Sequence, residues 1–384
     1  MVNTLRKKLS RAGTSIVQGN VAMMEGAIAA NCTYFAGYPI TPATEIAEHA
    51  ALRLPQEGGY YIQMEDELGS ICSCIGASLA GARAMTATSG PGFCLMTEGL
   101  GAAAITERPV VIAYMMRSGP AGGQATMPAQ QDVYQARYGS QGDYEVIAIC
   151  PSSVQESFDF TVKAFELADK YMTPVIILSD ATIGHLREKL VIPEEIEVYD
   201  NKVKGPVEYW LKPGENLVPP HVSFYEGSNA AWDITCRDWR GKSVGGSIEQ
   251  SAAFIRTLNE KITRNVEFIT DVKTFYDDAE MDVGVICFGT VARSVGSAVE
   301  MARASGIKAG WMKMNTIWPV PERQLKEFCA KCKYVIVPEM NIGKYVREIQ
   351  RVAGIDKVSG MSVLGGALFT PEQIALRIKE VSKG

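Results

Sequence analysis

Histidine is scarce in this chain. His49, His185 and His221 are the only three among 384 residues, so chemistry built on clustered imidazoles is not expected. No apolar run reaches the roughly 18 residues that a membrane-spanning helix requires, and the N-terminus lacks the apolar core of a signal peptide. Charged residues make up only 21% of the chain and the net charge is −5, with Lys and Arg scattered along it. Nucleic acid is therefore not an expected partner. The one basic cluster, "RKKLSR" at 6–11, reads as a solvated tail. The nine cysteines are odd in number and irregularly spaced, which suits a reducing cytoplasm rather than a disulfide framework. No four-cysteine run of ferredoxin type occurs, so an iron–sulfur cluster is not expected on this chain. Cys329 and Cys332 form a lone C-x-x-C, for which an ordinary helix face is the stronger reading, and no metal site is assigned.

Other familiar patterns fail. "WRGKS" at 239–243 resembles the end of a phosphate-binding loop, but position 236, where the first glycine belongs, is Cys236. "GLGAAA" at 99–104 lies in an Ala-rich helical stretch, where close helix packing explains it. Repeats and low-complexity tracts are also missing.

What the chain does have is a 47% hydrophobic composition and a length that suits two domains. From about Gly19 to Pro193, short β-branched runs alternate with longer small-residue helical stretches. "PVVIAYMM" and "PVIILSD" have the continuous apolar character of parallel strands buried on both faces. "PATEIAEHAALRL" predicts a helix with Pro42 in its first turn. Between about Glu194 and Gly246 prolines, glycines and aromatics mix without period, which predicts a long connection. A second α/β unit follows, beginning with a helix from Ile248 to about Ile262 and containing about four strands. The expected fold is α/β, with a parallel sheet carrying helices on both faces over 15–197, a connection over 198–246, and a smaller α/β domain over 247–384.

One stretch asks for more than a structural explanation. "YIQMEDELGS" places Glu65, Asp66 and Glu67 in consecutive positions before a small-residue helix. Acids in a first helical turn are favoured by ~0.3–1 kcal/mol each, yet three adjacent like charges exceed what capping needs and repel one another. Such crowding marks a candidate for a shifted pKa and a chemical role. Three further strand ends run into Gly-, Pro- or Ser-rich loops: "GYPITPATE" (37–45), "TATSGPGF" (86–93) and "MMRSGPAGG" (115–123). In parallel α/β sheets ligands bind at the carboxyl ends of strands. Turn chemistry accounts for any one of these loops; four together, carrying Thr41, Glu67, Ser89 and Arg117, point to a shared cleft.

The stretches "GYPITPATEIAE", "IQMEDELGSI", "IGASLAGARAMTATSGPGF", "CPSSVQE" and "VGVICFG…IWPVPE…VPEMNIGKYVRE" resemble the α subunits of 2-oxoacid:ferredoxin oxidoreductases, in particular the 2-oxoglutarate branch. The likeness covers nearly the whole chain. It implies a thiamine-diphosphate-fold pyrimidine-binding domain followed by a domain like the C-terminal domain of transketolase. It also implies CoA-dependent oxidative decarboxylation of a 2-oxo acid, 2-oxoglutarate to succinyl-CoA in the first instance, with electrons passing to ferredoxin. By the same resemblance, Glu67 is the glutamate that hydrogen-bonds N1′ of the aminopyrimidine, with Glu65 as the alternative. Thr41 and Arg117 would face the substrate, Arg117 clamping its carboxylate. Pro39, Ile40, Ser89, Gly90 and Gly92 would line the cofactor.

No Gly-Asp-Gly occurs in the chain, the motif that holds the metal-bound diphosphate in such enzymes. Thiamine diphosphate is therefore expected to be shared with a β subunit that supplies Mg²⁺ and a [4Fe-4S] cluster, with γ and δ subunits as further candidates and CoA as co-substrate. In one place the chain departs from the pattern. The 2-oxoglutarate type carries Arg-Gly-Gly-Pro-Ser-Thr-Gly where this chain reads "RSGPAGG", without the two hydroxyls after the proline. A branched-chain or aryl 2-oxo acid, or pyruvate, stays open as the substrate. So do a non-redox thiamine enzyme half and a non-catalytic assembly subunit.

Overall fold

A computed structural model describes residues 3–200, 202, 213–214, 216–224 and 233–383. The architecture is set by Val110–Ser118, nine residues that are all buried. Successive strand residues point to opposite faces. Ile112, Tyr114 and Met116 accordingly pack with Ile71, Phe93 and Leu100 on one side. Val111, Ala113 and Met115 pack with Met23, Met24 and Phe165 on the other. A strand wanted by two cores needs helices on both faces, the arrangement of a parallel sheet.

From edge to edge the sheet runs Thr316–Trp318, Ile147–Ile149, Val175–Asp180, Val110–Ser118, Ala84–Thr88, Tyr34–Gly37 and Tyr60–Gln63. Every pair is parallel except the first. Gln124–Pro128 adds a short antiparallel partner beside the end of Val110–Ser118. Helices Gly19–Ala29, Thr44–Arg53, Glu67–Leu79, Gly90–Ile105 and Val154–Tyr171 supply the connections and flanks. Among the described residues no helix is long and apolar enough to cross a membrane.

The second unit holds a five-stranded sheet in the order Val272–Phe275, Ala309–Met314, Met281–Phe288, Cys332–Glu339, Val358–Ser362, parallel except for its first strand. That is one strand more than the apolar runs predict. Val272–Phe275 is short and largely exposed, and Val358–Ser362 contains glycine and alternates in burial, so neither carries a strong hydrophobic signal. A helix at Pro371–Val381, opened by a Thr370/Gln373 capping box, lies beyond the helix that follows "NIGK".

The two units are not merely tethered. Thr316–Trp318 leaves the second unit to pair with Ile147–Ile149 of the first. One apolar cluster then runs from Ile71 and Phe93 through Trp318 to Phe288, Phe328 and Val337.

Three expectations are corrected. Cys329 and Cys332 do not share a helix face, because the helix Glu322–Ala330 ends before Cys332, which opens the strand Cys332–Glu339. The basic start is not a free tail: Asn3–Lys8 pairs antiparallel with Glu195–Asp200, which sets Arg6 near Glu195 and Glu197, and Lys7 Nζ donates to the Ile28 carbonyl. The acidic strand that neutralises it lies nearly two hundred residues away, beyond any local pattern. Pro42 is not in a helical turn; the helix begins at Thr44 because residues 40–43 first form a turn, with Ala43 N donating to Ile40 O at 2.7 Å. Much of the stretch read as an interdomain connection, 201, 203–212, 215 and 225–232, lies outside the described residues.

Trp318 is the clasp between the units. Its indole N–H donates to Val133 O at 2.9 Å, and its ring meets Tyr134, Tyr138 and Tyr345. Truncating a buried aromatic of this size costs about 3–5 kcal/mol. Trp318→Ala is expected to lower the urea midpoint, with both units affected together. An unshifted midpoint would show that the strand exchange contributes nothing.

Candidate active site

Four neighbouring strands, Val110–Ser118, Ala84–Thr88, Tyr34–Gly37 and Tyr60–Gln63, run the same way, so their carboxyl ends open on one edge. These strand ends and the segments that leave them carry Arg117, Ser89, Thr41 and Glu67. Two helices begin at this edge. Glu67–Leu79 is capped by Asp66, whose Oδ1 accepts from Gly69 N at 2.8 Å. Gly90–Ile105 follows Ser89, which stands at the cap position without a side-chain cap bond.

The three consecutive acids occupy three environments. Glu65 is exposed, Asp66 is committed to the helix cap, and Glu67 is 4% exposed. Position 92 explains how Glu67 is accommodated. A Cβ at Gly92 would lie closer than 3.0 Å, a separation real Cβ atoms do not show, to both Glu67 Oε1 and Thr88 Oγ1. The glycine therefore leaves the space the carboxylate fills. Burial, and next the neighbouring Asp66 charge, raise the Glu67 pKa above the ordinary carboxyl range; its own backbone N–H and the Arg117 charge act the other way.

Arg117 is 8% exposed at the end of the central strand. Its Nη1 donates to Thr41 O at 2.6 Å, which ties the first loop to the fourth. Gly90, with φ +38°, holds a backbone conformation that L side chains rarely adopt, and it lies in ordinary contact distance of the Arg117 side chain. Three polar atoms here, Thr88 Oγ1, Ser89 Oγ and Arg117 Nε, are buried and find no hydrogen-bond partner among the described residues. Buried polar groups are nearly always satisfied, so this set is suited to a polar ligand. Among the described residues no three His, Cys, Asp or Glu side chains gather as metal ligands.

Of the remaining candidates, Ile40 is half-buried against the sheet's second core, and Pro39 is exposed on the same loop. The loop after Arg117 turns outward through Gly119, Pro120 and Ala121.

A cavity of about 580 Å³ opens beside Arg117 and Gly90. Sequence reasoning did not assign its far wall, formed by Gln131, Asp132, Asn341 and Lys344. Asn341 and Lys344 come from the second unit, within the quoted stretch "VPEMNIGKYVRE", which marked them as part of a motif without saying where it lies. Asp132 Oδ2 has no hydrogen-bond partner among the described residues, and burial pushes its pKa up to about 6.

Residues 25–231 match the family model for the thiamine-diphosphate-binding domain of pyruvate flavodoxin/ferredoxin oxidoreductases, and residues 281–374 match that for core domain II of pyruvate:ferredoxin oxidoreductase. The 2-oxoglutarate synthase subunit KorA of Methanothermobacter marburgensis is 46% identical over 94% of this chain and 97% of its own length. The ketoisovalerate oxidoreductase subunit VorB of Methanothermobacter thermautotrophicus is 35% identical over 96% of this chain and 98% of its own. A structure of 2-oxoglutarate:ferredoxin oxidoreductase from Magnetococcus marinus, with 2-oxoglutarate, coenzyme A and succinyl-CoA bound, superposes with a TM-score of 0.92 at 32% identity. That match covers 97% of this chain, which spans 66% of the Magnetococcus chain.

The Gly92 reading has a direct check. Gly92→Ala forces a methyl group against the Glu67 carboxylate and is expected to lower stability by about 1–3 kcal/mol, the usual cost of overpacking. Gly122→Ala, where a Cβ meets nothing within 4 Å, serves as the control. Equal urea midpoints for the two variants would refute the close approach.

Proposed function

This chain belongs to the pyruvate flavodoxin/ferredoxin oxidoreductase family, and from that premise we propose that it is the subunit carrying the aminopyrimidine end of the thiamine diphosphate site in a CoA-dependent 2-oxoglutarate:ferredoxin oxidoreductase. The reaction converts 2-oxoglutarate and CoA to succinyl-CoA and carbon dioxide, with the electrons passed to ferredoxin. The observation that carries this reading is the Glu67 carboxyl, buried where Gly92 leaves room and held with raised proton affinity.

The donor set suits the cofactor. A ring nitrogen beside Glu67 can share its proton, and the buried hydroxyls of Thr88 and Ser89 lack partners among the described residues. When bound, thiamine diphosphate supplies the nucleophilic carbon and the electron sink for decarboxylation. The contribution of this chain is to hold and orient. Glu67 keeps a proton at N1′, a task for which a carboxyl with a raised pKa is better matched to neutral pH than an ordinary one. Arg117, fixed by the Thr41 carbonyl, presents its guanidinium to the substrate's 2-oxo carboxylate, and the Thr41 hydroxyl donates toward the reacting ketone. Pro39, Ile40, Gly90 and Gly92 shape the surface against which the cofactor lies.

The chain has no Gly-Asp-Gly motif and no cluster-binding cysteine run. A β subunit is therefore assigned the diphosphate, the Mg²⁺ and the [4Fe-4S] cluster, and activity requires the assembled complex in the cytoplasm. The domain division that accompanies this reading is 15–197, 198–246 and 247–384. The hydroxyl-free loop at 119–123 favours a second reading, a branched-chain 2-oxo acid as substrate, and the 35% identity to a ketoisovalerate oxidoreductase subunit is compatible with it.

The decisive test is a substrate panel. The chain co-expressed with its partner is assayed for viologen reduction with 2-oxoglutarate, pyruvate and 2-oxoisovalerate; preference for either of the latter would overturn the substrate assignment. Glu67→Gln separates chemistry from folding. Removing the proton relay is expected to lower turnover by about 10²–10⁴-fold.

Stability should move the other way or not at all. A raised carboxyl pKa means that the folded state binds the proton more tightly than the unfolded chain. Ionisation of Glu67 therefore opposes folding increasingly as pH rises from the unfolded value through the folded one. Above that window Glu67→Gln is expected to be at least as stable as the wild type. Full turnover by this variant would leave Glu67 without a catalytic role.

A further inference from the structure

We propose that Lys344, carried by the second α/β unit, selects substrates that bear a second carboxylate. The inference deepens the reading above and rests on it, since it takes Arg117 as the partner of the 2-oxo carboxylate. Arg117 and Lys344 both line the cavity of about 580 Å³ that opens between the units. The lining carries one acid against these two cations. That acid is Asp132, whose charges in range are Lys344 and Arg117 and whose phenolic neighbour is Tyr114. Two cations against one acid leave the lining net positive, with a cation on each unit's side of the cavity, which suits an anionic substrate that can reach both.

Lys344 is held in place by a built scaffold. Asn341 Oδ1 accepts from Gly343 N at 2.8 Å and from Lys344 N at 2.9 Å. Asn341 Nδ2 in turn donates to Gln130 O at 2.7 Å and Glu339 Oε2 at 2.8 Å. The fully buried Glu339 carboxylate accepts from Tyr345 N and Val346 N, both at 2.8 Å. The backbone on both sides of Lys344 is thereby held within the second unit, and Asn341 ties that turn to Gln130 of the first. The ammonium donates to Gln131 O at 2.7 Å, which anchors it at the cavity wall and uses one of its three N–H groups.

The loop chemistry gives this cation its role. After Arg117 the chain passes through Gly119, Pro120 and Ala121, which line the same cavity and offer no hydroxyl. A distal carboxylate entering here has no Ser or Thr donor in that loop, whereas Lys344 offers a compact positive charge on an anchored stem. A monocarboxylate substrate makes no use of it.

The test uses the complex with its partner subunit and compares kcat/KM for 2-oxoglutarate with that for 2-oxobutyrate, which lacks the second carboxylate. In Lys344→Met the ratio is expected to fall about 10- to 100-fold, the range for losing a hydrogen bond to a charged group, and to do so through KM. Lys344→Arg, which restores the charge, should recover most of the ratio. An unchanged ratio, or an equal loss on both substrates, overturns the proposal; the second result would assign Lys344 a structural role. If the wild-type complex oxidises no 2-oxo acid, the parent reading fails and this one with it, whereas wild-type turnover with unaltered selectivity in the variant defeats this assignment alone.

Discussion

The carboxylate of Glu67 occupies the volume that a side chain at position 92 would take, and the rest of the site is arranged around that substitution of space. A carboxyl excluded from water binds its proton more tightly. Two features keep it from becoming inert. The helix that begins at Glu67 places the positive end of its dipole at the carboxylate, and the Arg117 charge lies within range. Arg117 is tied through Nη1 to the Thr41 carbonyl, and its buried Nε has no partner among the described residues. The acid is thus left with raised proton affinity and a side chain free to meet a ligand. Crowding of three acids resolves in the same way: one caps, one faces solvent, and one is buried.

Parallel strand direction does the remaining assembly. Residues 41, 67, 89 and 117 are far apart in the chain and come together only because four parallel strands end at one edge. Two helices also start there, so backbone N–H groups and two glycine approaches converge where the loops do. Each loop taken singly is ordinary turn chemistry. The site is a property of the sheet's direction, and an antiparallel pairing of any one of these strands would carry its loop to the opposite edge.

What could be read in the sequence follows from the range of each signal. Continuous apolar runs such as Val110–Met116 announce strands buried on both faces, and the first sheet is accordingly legible, as is the helix Ile248–Thr263 with its clear amphipathic period. Strands that depend on a distant partner were not. Asn3–Lys8 is basic and polar, and it is a strand because Glu195–Asp200 pairs with it. Thr316–Trp318 has only three residues and belongs to the other unit's sheet. In the site, Glu67 and Arg117 stood out by type and position. The difference in burial between Glu67 and Glu65 could not be read locally, since it depends on a glycine 25 residues further on. The far wall of the cavity was invisible as such, since Asn341 and Lys344 meet Gln130 and Gln131 across more than 200 residues and no periodicity reports that contact.

The same contacts decide how the second unit should be regarded. A site whose walls come from two units keeps its shape only if the units cannot shift, and the junction is built to prevent that. Gln130 donates to Phe288 O at 2.9 Å, while its backbone N–H and its side-chain oxygen engage Met340 O and Met340 N. Its carbonyl accepts from Asn341. One buried glutamine therefore bonds two strand ends of the second sheet, and Trp318 lies in the apolar cluster that the two units share. Leaving any of these buried groups unpaired costs roughly 1–3 kcal/mol, so sliding the units would break several such bonds at once. Gln130 is followed directly by Gln131 and Asp132, which face the cavity, and Asn341 is followed closely by Lys344. The residues that lock the junction and those that line the cavity are thus neighbours in the chain on both sides. Rigidity of the junction is in this way transmitted to the position of the charges, which makes the second unit part of the site's wall rather than an appended domain.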